Sequence, residues 1–127
     1  MSSTVRTMAL KNFLRKLTAP VDELDEEQLR EFCSGQPGVE SIGSLRPREP
    51  ATVVGEISSV RIVPKPEGSP WLEVTITDGT GKLVALWTGR RRIAGIKSGQ
   101  RLVLTGRPSP SGPGGRLLIY NPLYELL

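Results

Sequence analysis

Little in this sequence could make or break a covalent bond. Histidine is absent, which removes the commonest general base. Cys33 is the only cysteine, so it forms neither a Cys–His nucleophile pair nor a zinc site of the usual Cys/His type. It reads as a packed helix residue. The carboxylates gather between Asp22 and Glu31, where a helix dipole and solvation explain them. What remains is the chemistry of recognition. The net charge is +4, unevenly spread: residues 1–35 hold five basic against six acidic side chains, and residues 36–127 hold twelve against seven. That basic excess, with the run Arg90-Arg91-Arg92, fits a surface for a polyanion. No enzyme activity, cofactor or metal is expected.

A chain of 127 residues, 37% hydrophobic and 24% charged, has the size and composition of one folded domain. No run approaches the roughly 20 apolar residues of a membrane span, so no membrane partner is expected. Arg6, Lys11, Arg15 and Lys16 interrupt the apolar residues near the N-terminus. No signal peptide is therefore expected, and the expected location is cytoplasmic.

Residues 5–18 read as an amphipathic helix, with Met8, Phe13, Leu14 and Leu17 at spacings near three and four. Residues 22–33 read as a second helix, closed by Gly35, Pro37 and Gly38. The organisation expected is a helical extension over 1–35, a Gly/Pro/Ser-rich linker over 36–50 that Ile42 and Leu45 could anchor, and a β domain over 51–127.

After Pro50 the β-branched residues dominate and turn signals recur, as in a small barrel or sandwich. A first strand covers about Thr52–Val63. Its apolar set slips phase between Ile57 and Val60, which a bulge near Ser58–Ser59 would absorb. The second strand, Trp71–Thr77, alternates cleanly: Leu72, Val74 and Ile76 share one face, Trp71, Glu73 and Thr75 the other. Asp78-Gly79-Thr80-Gly81 makes a hairpin turn. The third strand is Lys82–Thr88, apolar on both parities, so its core face stays open. Residues 89–96 hold a short helix or turn. The fourth strand is Arg101–Arg107, and the fifth runs over Arg116–Leu126 with an interruption at Asn121-Pro122.

Five strands with a short element between the third and fourth make the OB arrangement. The segments ATVVGEISSVRI, PWLEVTITDGTGKLVALW, RIAGIKSGQRLVLTGRP and GRLLIYNPLYELL resemble nucleic-acid-binding OB domains of the anticodon-binding type, and among these the wedge domain of RecG-type helicases. The resemblance covers about residues 45–127. The overall pattern is also similar to a small, stand-alone OB-fold protein of actinobacteria. It implies an all-β, five-stranded Greek-key barrel with two short N-terminal helices. The sequence departs from the helicases in lacking a G-x-x-x-x-G-K-[ST] loop, so the resemblance implies a binding module and no motor.

An OB barrel binds single strands on the face of its second and third strands, framed by the first–second and fourth–fifth loops. The resemblance therefore implies roles for particular residues. Trp71, facing away from the apolar set, is the stacking candidate, with covering the barrel end or packing on the N-terminal helices as the alternative. Trp87 and Tyr120 are further aromatic candidates, though packing in the core fits both. Arg61 and Lys65 flank one loop, Arg107 and Arg116 the other; these four suit phosphates, or are separate solvated charges. Arg90, Arg91 and Arg92 either extend the strip or sit beyond the barrel's far end. Thr75 could donate to sugar or phosphate, whereas Glu73 beside it would oppose phosphate. The expected partner is single-stranded nucleic acid, DNA or RNA, bound with little sequence preference. The rival expectation is an adaptor for a larger DNA-repair, recombination or translation complex, with the helix at 5–18 as a partner surface.

Overall fold

The computed structural model describes residues 21–110 and 116–127. The helix expected over 5–18 lies outside them. Among the described residues there is one α-helix, α1 (Val21–Ser34), followed by a 3-10 turn (Ile42–Ser44) and seven strands: β1 (Ala51–Val63), β2 (Trp71–Thr77), β3 (Lys82–Thr88), β4 (Arg101–Gly106), β5 (Pro108–Pro110), β6 (Leu117–Tyr120) and β7 (Leu123–Leu126). No described helix is long and apolar enough to cross a membrane.

The strands form one sheet in the order β5-β6-β3-β2-β1-β4-β7. The expected count of five becomes seven because a short extra strand, β5, follows the expected fourth and the expected fifth breaks in two. β4 ends at Gly106, beside the expected end at Arg107, and pairs with β1 and β7, while β5, beyond Arg107, pairs with β6. Asn121-Pro122 breaks the fifth. Tyr120 ends a parallel ladder on β3 and Leu123 starts an antiparallel one on β4. Two residues thus carry the chain from one side of the sheet to the other, which curls the sheet toward a barrel. Proline donates no ladder hydrogen bond, and Asn121 takes a left-handed φ of 47°, so the ladder cannot continue straight through.

The slip of phase in β1 is a bulge, with register shifting between Ile57 and Ser59. Gly55 lies where β1 bends over β2. A methyl there would run into the Ile76 side chain and meet the Thr77 carbonyl oxygen at 3.0 Å. The core collects Val53, Ile57, Leu72, Val74, Ile76, Leu83, Ala85, Trp87, Leu102, Leu104 and Ile119. This settles the third strand: Leu83, Ala85 and Trp87 point inward. Val84 and Leu86 are buried too, on the opposite parity.

The remaining segments pack against the curled sheet. Ile93 and Ile96, between β3 and β4, are buried in the core cluster, as is Ile42 with Leu45 packed against it. Residues 36–50 are therefore anchored at their centre. Asp78, 3% exposed, fixes this contact. Its Oδ2 accepts the Ile42 amide at 2.8 Å, and its Oδ1 accepts the Thr80 amide and hydroxyl and the Gly81 amide. On the outer side, α1 lays Leu29 and Cys33 over Val54, with Phe32 and Val103 beside them.

Candidate nucleic-acid interface

The two-residue period of a strand decides which side chains share a face. On the outer side of the sheet the register aligns Tyr120, Leu86, Glu73 and Arg61 in one row across β6, β3, β2 and β1. A neighbouring row holds Thr88, Trp71 and Val63, and the one beyond the first holds Leu118, Val84, Thr75 and Ser59. Trp71, Thr75, Arg61 and Tyr120, chosen from sequence, thus lie on one face. The described helix α1 packs over β1 and β4 and leaves Trp71 only partly buried.

Trp71 and Tyr120 meet edge to face, with ring centroids 6.2 Å apart and planes at 87°. This is a favoured arrangement of aromatic quadrupoles. Tyr120 is 47% exposed, so the core packing that its sequence also allowed does not occur. Asn121 fixes the end of β6 that carries it. The Asn121 amide donates to the Leu86 carbonyl at 2.7 Å, and its Oδ1 accepts the Thr88 amide at 3.0 Å. Nothing in the strand pattern marked Asn121 as the residue that positions an aromatic ring; its place before a proline was the available signal.

Lys65, in the loop after β1, sets its Nζ 3.9 Å from the centroid of the Trp71 ring. The ammonium is held by the indole's negative face at the edge of the aromatic pair. Arg61 Nη2 bonds both oxygens of Glu73 at 3.1 Å. The pair is a surface one, the arginine being 69% exposed, and it offsets the carboxylate that would oppose phosphate while occupying the guanidinium.

Other candidates fall elsewhere. Trp87 is 5% exposed and inward, edge to face with Tyr124, so it cannot stack on a base; its parity with Leu83 and Ala85 decides this. The two cationic loops do not converge. Trp71 pairs with Thr88 at one end of β3, whereas Leu117, next to Arg116, pairs with Leu83 at the other. Arg107 donates to the Arg48 carbonyl at 3.1 Å. Arg116 and the Lys65 loop therefore lie at opposite ends of the face, about 20 Å apart at ~3.3 Å per strand residue, whereas Arg107, next to Pro108 opposite Ile119, lies by the Tyr120 end of β6. Arg90, Arg91 and Arg92 are exposed beyond β3, with Arg91 and Arg92 bordering a groove beside β1.

No protein-family model matches the chain, and no curated protein does. Solved structures do match. RecG bound to a three-way DNA junction aligns over 70% of this chain with 20% identity and a TM-score of 0.55. The chain spans only 12% of the RecG chain. The replication factor A-related protein from Methanobacterium thermoautotrophicum aligns over 70% of this chain and 90% of its own, with 24% identity and a TM-score of 0.52. At such identities the likeness is one of fold, and it places the chain's curled sheet among OB-type barrels, the architecture that the sequence pattern implied.

Proposed function

We propose that this barrel is a non-enzymatic module that binds single-stranded DNA or RNA, with little sequence preference, at the end of the outer face where Trp71 of β2 and Tyr120 of β6 stay partly exposed beside the buried Val84 and Leu86 of β3. The observation that carries the reading is the cluster of Trp71, Tyr120 and Lys65. Partly exposed aromatic rings offer π-faces that any base can stack on, and a cation beside them follows the phosphates. Neither interaction reads base edges, which is why little sequence preference is expected. The likeness to RecG, solved on a DNA junction, and to a replication factor A-related protein supports nucleic acid as the ligand class. Arg107, next to Pro108 opposite Ile119, lies on the Tyr120 side of β6, whereas Arg116 lies at the other end of the face.

Fluorescence anisotropy of a labelled oligothymidylate, a mixed-sequence single strand and a duplex tests the reading. Both single strands should bind more tightly than the duplex. Trp71→Ala should weaken them by roughly 5- to 100-fold, from ~1–3 kcal/mol per stacked base. Duplex binding as tight as single-strand binding, or no effect of Trp71→Ala, would contradict it.

A further inference from the structure

The second half of β1 has an open edge. β4 follows β1 only from Ala51 to Glu56, and the Ile57 amide and carbonyl bond Gln100 and Gly99. From Ser59 to Val63, β1 pairs with β2 on one side and with no described strand on the other. Between that edge and the turn after β3 lies a cavity of about 390 Å³, at the small end of ligand-binding clefts (roughly 300–1,000 Å³). Val60, Ile62 and Leu72 line it from the sheet, Ile93 from the turn, and Arg91 and Arg92 from its border. Val60 and Ile62 have the inward parity of Val74 and Leu72. The barrel nonetheless leaves them 37% and 52% exposed. Arg91 and Arg92 are exposed, and neither has an ion pair among the described residues.

We propose that this groove takes an extended acidic peptide with aliphatic side chains, from a partner protein, added as a strand to the free edge of β1. Strand addition supplies backbone hydrogen bonds, and alternate side chains supply specificity. Residues opposite Val60 and Ile62 would point into the aliphatic groove, and carboxylates at the rim would meet Arg91 and Arg92. The lining favours a peptide over nucleic acid. It contains no aromatic ring, so a base gains no stacking there, while an aliphatic side chain gains burial against Val60, Ile62 and Leu72. The groove opens on the inward parity of β1, whereas Trp71 and Tyr120 lie on the outward face, so this proposal does not depend on nucleic-acid binding.

The test uses the full chain and a short fluorescein-labelled peptide of aspartates flanking leucines. Controls are the same peptide with serine for leucine and with lysine for aspartate. The acidic–aliphatic peptide should bind and both controls should lose roughly tenfold or more. Methyl resonances of Val60, Ile62 and Ile93 should shift on binding, which needs no variant. Ile62→Ser and Arg91→Glu, both at exposed positions, should weaken the peptide roughly tenfold with unchanged thermal melts, while Trp71→Ala leaves it unaffected. Equal binding of the serine control, or methyl shifts confined to other residues, would overturn the proposal. So would full displacement of the peptide by a single-stranded oligonucleotide from wild type and Trp71→Ala alike.

Discussion

Trp71 opens β2 and Tyr120 closes β6, yet their rings meet edge to face 6.2 Å apart. β3 lies between their strands, and Asn121 ties the end of β6 to Leu86 and Thr88. The pair is therefore set by the sheet and not by a loop. Tyr120→Ala should weaken single-strand binding roughly fivefold or more, because one stacking ring is lost and Trp71 loses its lateral support. Tyr120→Phe, which keeps the ring, should bind within about twofold of wild type. Anisotropy titration of the two variants separates the ring from the hydroxyl.

The second prediction concerns salt. Each phosphate neutralised on a single strand contributes about −0.7 to the slope of log K against log salt concentration. Lys65→Ala should make that slope shallower by about 0.7 and weaken all sequences alike. Glu73→Gln should do the opposite. It frees Arg61 from its carboxylate at 3.1 Å and removes a negative charge from the face, so affinity should rise about two- to fivefold. Little stability should be lost, since exposed ion pairs contribute about 0–1 kcal/mol.

Asp78 joins the β2–β3 hairpin to the turn at Ile42 through one buried carboxylate. Asp78→Ala strands the amides of Ile42, Thr80 and Gly81 near the core. A buried group left unsatisfied costs about 1–3 kcal/mol, so a total loss of about 3 kcal/mol is expected. Urea denaturation should show a lower midpoint with an unchanged m-value.

Cys33 gives a prediction in pH. Burial, together with the nearby Asp78, pushes its thiol from 9.0 up to about 11. The folded chain holds the thiol proton more tightly than the unfolded chain. This contribution is intact below pH 9 and is lost as pH rises from about 9 to about 11. Denaturation curves should show wild type losing stability over that window relative to Cys33→Ser. At pH 8 the native thiol should react with an alkylating reagent far more slowly than the urea-unfolded thiol, since the thiolate is the nucleophile.

Much of the barrel was legible because its first three strands are local. Leu72, Val74 and Ile76 alternate against Trp71, Glu73 and Thr75, and a slip between Ile57 and Val60 can be absorbed only by a bulge. The fifth strand was different. Asn121-Pro122 reads as an interruption, but whether the two halves join one neighbour or two depends on long-range pairing, which alternation does not encode. Tyr120 was obscured for that reason, since its face follows from its register on β3. The same applies to Arg116, whose separation from Lys65 is set by the end of β3 at which β6 enters. Lys65 and Trp71 were each identifiable, but their contact across the loop after β1 was not.

Intrinsic fluorescence offers the most direct measurement. The chain has two tryptophans, Trp71 and Trp87, one partly exposed on the outer face and one buried in the core. Adding an unlabelled single-stranded oligonucleotide to the wild-type chain should quench the emission saturably, with weaker saturation at higher salt. In Trp71→Ala, where Trp87 alone emits, the quenching should disappear, while Trp87→Phe should retain it. Quenching that survives in Trp71→Ala, or a wild-type signal that no single strand alters at low salt, would place binding elsewhere or remove it from this face.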